Sequence, residues 1–422
     1  MPFLHPLSEL DGMAAVRAVN ETLRRIDARL VDHGERVAFI ACELMEYGGL
    51  ELEESTLLLL GVFHDIGAYK TDEIDRMVEF ETKNVWNHSM YGYLFLKYLT
   101  PLHEMAEAIL YHHTPWSELE KIDCPYQDYA ALLQLADRLD IALGDAHTHR
   151  RIRSICENSG GWFAPQYAAL VEGCLTQRNV LERLADGSYR ETNAERVQRA
   201  GVSPEEALEY LKMVVYSIDF RSEHTVAHTI NTVSIALNIA CKFGLDTAAE
   251  EKIYLGALLH DVGKIAIPIE ILEFPGKLTA EQMVVMRTHV DETEHLITGV
   301  IPDEICKIAV RHHEKLDGSG YPRGLTGDVL TLPERIVAVA DIVSALGSRR
   351  SYKEPFPKER VLAILNQMKA AQLDPDICDY VCEEYEEIMG ATDVKRDEII
   401  QKYRSIMAEF QELKQRFLEG RD

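Results

Sequence analysis

Apolar residues recur at intervals of three and four along almost the whole chain, as in Ala249–His260 (AEEKIYLGALLH) and again from Ile305 to Arg311. That spacing places them on one face of a helix, whereas a half-buried strand would alternate with period two. Alternating runs of any length are hard to find, so the pattern predicts an all-α fold. Proline and glycine cluster between the periodic stretches at 268–276 and 317–327 and read as loops. The segment 184–204 is polar and ends in Ser203-Pro204-Glu205-Glu206, a helix start with acids in its first turn. The organisation expected is a first domain over 1–185, a linker over 186–203, a second domain over 204–390, and a charged amphipathic helix over 391–422 that packs on a domain or a partner.

Polar residues that interrupt these apolar stretches follow an order that occurs twice. His33 is followed by His64-Asp65, His88, His112-His113 and Asp137; His228 is followed by His260-Asp261, His289, His312-His313 and Asp341. Ten of the 16 histidines fall into this order, and the flanking sequences agree, GVFHDIG with ALLHDVG and AILYHH with IAVRHH. A lone His-Asp pair ending an apolar helix would be a core histidine beside a capping aspartate. Five histidines and two aspartates in matched order, twice, point instead to two copies of one metal-binding helical domain. Buried histidine and aspartate are costly unless paired or bound to metal. Imidazole with carboxylate suits iron, manganese, zinc or nickel better than magnesium or calcium. Seven donors exceed the needs of one four-coordinate ion, and two ions bridged by one carboxylate would use them all. Such a pair would activate water and neutralise a phosphoryl group, so the expected reaction is phosphoester hydrolysis.

Composition narrows this picture. The chain has 422 residues, enough for two cores, and a formal net charge of -26, which argues against a general nucleic-acid binder. No apolar run has the length of a membrane span, and Met1–Leu10 lacks signal-peptide character, so a cytoplasmic location is expected. The eight cysteines form no CxxC pair and read as small buried thiols.

The residues resemble the HD superfamily of metal-dependent phosphohydrolases, and the second half resembles its HD-GYP branch. The resemblance rests on His260-Asp261-Val262-Gly263-Lys264, on the string from His312 to Pro322 (HHEKLDGSGYP), and on Arg335–Asp341. It implies two tandem HD-type helical domains plus the C-terminal helix, and hydrolysis of cyclic dinucleotides, cyclic di-GMP or cyclic GMP-AMP, to linear dinucleotide or mononucleotide. By the same resemblance His228, His260, Asp261 and Asp341 hold one metal. Asp261, His289, His312 and His313 hold the second, with Asp261 bridging and iron or manganese favoured. Lys264 is implied as a catalytic contact to phosphate or the leaving oxygen, and Arg350 and Lys353 as phosphate contacts. Tyr321 either stacks on a base or packs its loop. Some relatives hold a third metal through a glutamate at the position of His224, which is here a histidine. Ser344 stands where a second aspartate is usual, and Ser351 where proline is common.

The first half has the whole ligand order, His33, His64, Asp65, His88, His112, His113 and Asp137, so a metal is expected there too. It has Ala68 in place of Lys264, and Thr114-Pro115-Trp116 in place of the GYP loop, and so resembles a plain HD domain. Two other functions remain open at this point: a general nucleotide phosphohydrolase, and a receptor or scaffold that binds cyclic dinucleotide without cleaving it. The resemblance also admits a diguanylate cyclase partner, and the terminal helix a homodimer.

Overall fold

A computed structural model of the chain describes residues 17–18, 32–70, 86–144, 148–220, 223–347, 355–369 and 371–418. Among these residues the secondary structure is helical, with three isolated β-bridges and no sheet, as the periodicity predicts. Two compact units form, Met1–Ser217 with Ile406–Asp422, and Ile218–Ser405.

In the first unit the principal helices are α1 (His33–Gly48), α2 (Glu54–Phe63), α3 (Trp86–Leu99), α4 (Glu107–Tyr111), α5 (Gln127–Leu143), α6 (Tyr189–Ala200) and α7 (Pro204–Asp219). Helix α1 packs against α2 and α5, and α4 against α3 and α5. A 3-10 turn, Ile66–Lys70, follows α2 and packs on α3. In the second unit the corresponding order is α8 (Glu223–Lys242), α9 (Thr247–Leu259), a 3-10 turn (Val262–Ala266), α10 (His289–Ile297), α11 (Asp303–Val310) and α12 (Leu332–Gly347). Here α8 packs on α9 and α12, α9 on α11, and α10 on the 3-10 turn. Helices α13 (Pro375–Glu383) and α14 (Tyr385–Leu418) follow, after a helix over Lys358–Met368.

Several helix starts follow from side-chain caps, which satisfy amides that have no partner within the helix. Asp246 accepts from the Ala249 amide at 2.9 Å ahead of α9. Ser203 and Glu206 exchange hydrogen bonds with one another's backbone amides, at 3.2 and 2.9 Å, which makes the start of α7 read from the sequence a capping box.

The polar stretch taken for a linker contains α6, and its polarity is turned inward. Tyr189 and Arg196 are buried. Arg196 bonds Glu43 at 2.8 Å, Glu46 at 2.6 Å and Glu54 at 2.8 Å, so a guanidinium, beside the buried Tyr189 and Val197, fastens α6 to α1 and α2. The terminal helix starts at Tyr385, and its residues from Ile406 belong to the first unit. There Phe410 stacks on Tyr91 with 4.0 Å between ring centroids, and Glu409 accepts from Lys97 at 2.7 Å and Tyr98 at 2.8 Å.

Two outcomes follow. Arg196→Met removes one of three guanidiniums from the fully buried Glu43, leaving Arg178 and Arg183, and should lower unfolding free energy by about 1–3 kcal/mol. Adding Glu43→Gln should recover part of that loss in urea unfolding. For Glu409, burial raises the carboxyl pKa, but hydrogen bonds from Lys97 and Tyr98 outweigh it and hold it below its ordinary 4.5. Its stabilisation is therefore present above pH 4.5 and lost as the pH falls through the depressed folded value. Glu409→Gln should cost about 1 kcal/mol at neutral pH and converge with the unaltered chain in acid, read by thermal melts across pH.

Candidate metal centre and its family

Both ligand series sit largely at helix ends. His64 caps α2, His112 caps α4 and His260 caps α9, while His289 and His312 follow immediately on helical turns. The last carbonyls of a helix have no intrahelical donor. These rings use them: Nδ1–H of His64 donates to Gly61 O, of His112 to Ile109 O, of His260 to Ala257 O, of His289 to Met286 O and of His312 to Ala309 O, all at 2.6–2.7 Å. A carbonyl can only accept, so Nδ1 carries a proton, and in the neutral ring that metal ligation needs each Nε2 presents a lone pair. His228 reaches the same state through Ser344, whose hydroxyl donates to His228 O at 3.1 Å and accepts from His228 Nδ1 at 2.9 Å. His33 Nδ1 donates to Asp140 Oδ2 at 2.7 Å, and Arg36 holds the same carboxylate.

The lone pairs gather around one aspartate in each unit. In the second, Asp261 Oδ2 lies 3.0 Å from His260 Nε2 and 3.5 Å from His228 Nε2, while Oδ1 lies 3.4 Å from His289 Nε2. His228 Nε2 is 3.2 Å from Asp341 Oδ1, His289 is 3.4 Å from His312, and His313 Nδ1 is 3.5 Å from Asp341 Oδ2. In the first unit Asp65 Oδ2 lies 3.3 Å from His64 and 3.7 Å from His33, and Oδ1 lies 3.5 Å from His88. His33 Nε2 is 3.3 Å from Asp137 Oδ1, and His112 and His113 complete the cluster with ring centroids 3.9 Å apart. All seven sequence-predicted donors are thus brought together in each unit.

The chemistry of these atoms fits a cation. His64, His112 and His260 Nε2 are buried without a hydrogen-bond partner, a condition buried polar atoms seldom tolerate. Burial, with neighbouring imidazoles, pushes His112 down to about 3, and burial with His289 does the same for His313 despite Asp341. Both rings are therefore neutral at pH 7, as metal ligation needs. Against the effect of burial, neighbouring carboxylates raise His33 to about 10 and lift His64 and His260 above the ordinary imidazole value, so a bound cation would displace a proton from these rings. Burial would raise the Asp261 and Asp341 carboxyls, but the surrounding imidazoles hold both well below the usual range.

Of the other expected residues, Lys264 bonds Asp261 Oδ2 directly. Tyr321 packs on His313 with 4.7 Å between ring centroids, and Arg287 lies over its ring at 4.7 Å. The side chain of His224, and Arg350 and Lys353 altogether, lie outside the described residues.

Sequence reading missed several supports. Buried Thr293 accepts from the Gly263 amide at 3.0 Å and donates to His260 O at 3.1 Å, tying the His-Asp turn to α10. Buried Glu314 accepts from the Arg323 and Leu325 amides at 2.8 and 2.9 Å, pinning the loop that carries Tyr321. Asp219, also buried, accepts from Thr229 at 2.6 Å. Glu314 was visible inside the quoted motif; the others stand outside any repeat and gave no signal.

The glycine after each His-Asp pair has a steric reason. A Cβ on Gly263 would lie 2.1 Å from His289 O, and one on Gly67 2.0 Å from His88 O. The backbone there must run against the next ligand's helix.

Residues 30–142 and 212–377 each match the HD domain family. The chain is 33% identical over 288 residues to the cyclic di-GMP phosphodiesterase response regulator RpfG of Xanthomonas campestris pv. campestris, covering 63% of this chain and 76% of that one. The chain belongs to the HD superfamily of metal-dependent phosphohydrolases. Its second HD domain is of the HD-GYP type. It is also 29% identical over 378 residues to 3'3'-cGAMP-specific phosphodiesterase 1 of Vibrio cholerae, 83% of this chain and 86% of that protein. The crystal structure of a cyclic GMP-AMP specific phosphodiesterase of V. cholerae shares the fold, with TM-score 0.52, 19% identity, and coverage of 93% and 98%. Among the described residues no helix is long and apolar enough to cross a membrane.

Gly263→Ala should therefore displace His289, lower the melting temperature by the equivalent of about 1–3 kcal/mol and reduce bound metal. Gly390→Ala, which meets nothing within 4 Å, should leave both unchanged or raise the melting temperature slightly.

Proposed function

We propose that the second HD domain hydrolyses cyclic dinucleotides, cyclic di-GMP or cyclic GMP-AMP, to linear dinucleotide or mononucleotide. The observation that carries this reading is Asp261, whose two carboxylate oxygens face different imidazole groups, with the Lys264 ammonium against one of them. His228, His260, Asp261 and Asp341 would hold one divalent ion, and Asp261, His289, His312 and His313 a second; iron or manganese suits the donors, and zinc or nickel is admissible. When bound, the ions supply Lewis-acid neutralisation of a phosphodiester and lower the pKa of water. The chain's own residues do the rest. Carbonyl-anchored imidazoles keep their lone pairs aimed without reorganisation. Lys264 offers the donor for a phosphate oxygen or the departing oxygen, an important local cation in a chain of net charge -26. Glu314 fixes the loop that packs Tyr321 on His313. The named activities of the Xanthomonas and Vibrio relatives support the same substrate class. The first HD domain, with Ala68 at the lysine position and no such loop, is accessory in this reading.

Protein loaded anaerobically with Fe(II) or Mn(II) should convert cyclic di-GMP or 3'3'-cyclic GMP-AMP, followed by chromatography of products. His260→Ala/Asp261→Ala should abolish conversion, and His64→Ala/Asp65→Ala should not. Lys264→Met should lower kcat by about 100-fold with metal content intact. If metal-loaded unaltered protein consumes neither nucleotide, the substrate assignment is wrong.

A further inference from the structure

One histidine of the first unit turns Nδ1 toward a cation instead of an acceptor. His113 Nδ1 faces no carbonyl; it lies 3.3 Å from Nη2 of Arg138, a buried residue of α5. A guanidinium has donors only. Nδ1 must therefore accept, which puts the ring proton on Nε2, the nitrogen 3.0 Å from His88 Nε2. Neither nitrogen of His113 is left for a metal: one is occupied by a cation, the other carries hydrogen. The arrangement is braced, because Gln134, one turn earlier on α5, donates to Thr114 O at 2.9 Å and holds the His112–Thr114 turn to the helix. Arg138 also stands 3.2 Å from Asp137 Oδ2, leaving Oδ1 toward His33.

The second HD domain lacks every part of this device. The positions of Gln134 and Arg138 are Ala338 and Ile342 there, and His313 Nδ1 faces the Asp341 carboxylate, an acceptor. We infer that Arg138 withdraws His113 from metal binding, so that the first HD domain holds one metal ion where the second holds two. The ion retained is that of His33, His64, Asp65 and Asp137, a complete four-donor set. The place of the second ion is left with Asp65, His88 and His112 beside a fixed positive charge. This rests on the metal assignment proposed above for the paired domain and extends it to the first.

The test is metal content of the full-length chain, stripped and reloaded with Mn(II), by elemental analysis and by the EPR signature of spin-coupled manganese. With the second site emptied by His260→Ala/Asp261→Ala, the chain should bind about one Mn(II), uncoupled. Arg138→Ile in that background should raise this to about two, with a coupled signal. His113→Ala should leave the count at about one, while His64→Ala should remove it. Two coupled ions with Arg138 in place, a folded Arg138→Ile protein that stays at one, or loss of manganese in His113→Ala would each overturn the inference. Should Arg138→Ile not fold, the His113→Ala count decides. Absence of cyclic-dinucleotide turnover, with these counts as expected, would sink the proposed function and leave this inference standing.

Discussion

The centre depends on where one proton sits on each imidazole. A neutral ring has one donor and one acceptor nitrogen, and a metal needs the acceptor. Five of these rings donate the Nδ1 hydrogen to a carbonyl three residues back, at the close of a helical turn where carbonyls lose their intrahelical donors. The fold thus satisfies two needs with one bond: it finishes a helix and aims a ligand. This explains why the His-Asp and His-His pairs follow apolar helical runs rather than lying within them.

The two copies share that frame and differ in what surrounds it. The second places a lysine against the bridging aspartate and anchors a glycine-rich loop with Glu314. The first has alanine at the lysine position and brings an arginine in from α5 against the opposite end of the cluster. Similar ligand geometry is thereby set in two electrostatic surroundings. That difference is a physical basis for two domains of one family having different tasks within a chain.

Much of this was legible in the sequence, and for a definite reason. Histidine and aspartate are conspicuous inside apolar helical patterns, and their order repeated, so the all-α fold and the seven donors of each cluster could be read directly. The segment 186–203 misled because polarity is ordinarily a sign of solvent; Arg196 is instead buried among three glutamates, and which acids it meets depends on the fold. The terminal helix gave its amphipathic face but not its seat on Tyr91 and Lys97. Thr293 and Arg138 were unreadable because their roles depend on contacts made across more than 20 residues.

The carbonyl anchors have a consequence for how such a centre can change over evolutionary time. A main-chain acceptor cannot be deleted by substitution, so five of the rings are insulated from drift in their neighbours. His33 and His228 instead rest on a side chain at Nδ1, a carboxylate in one copy and a hydroxyl in the other. A carboxylate partner makes the ring a stronger base than a hydroxyl does. Adaptation of metal preference in each copy is thus channelled through residues 140 and 344, where a duplicated domain can diverge without losing its ligands.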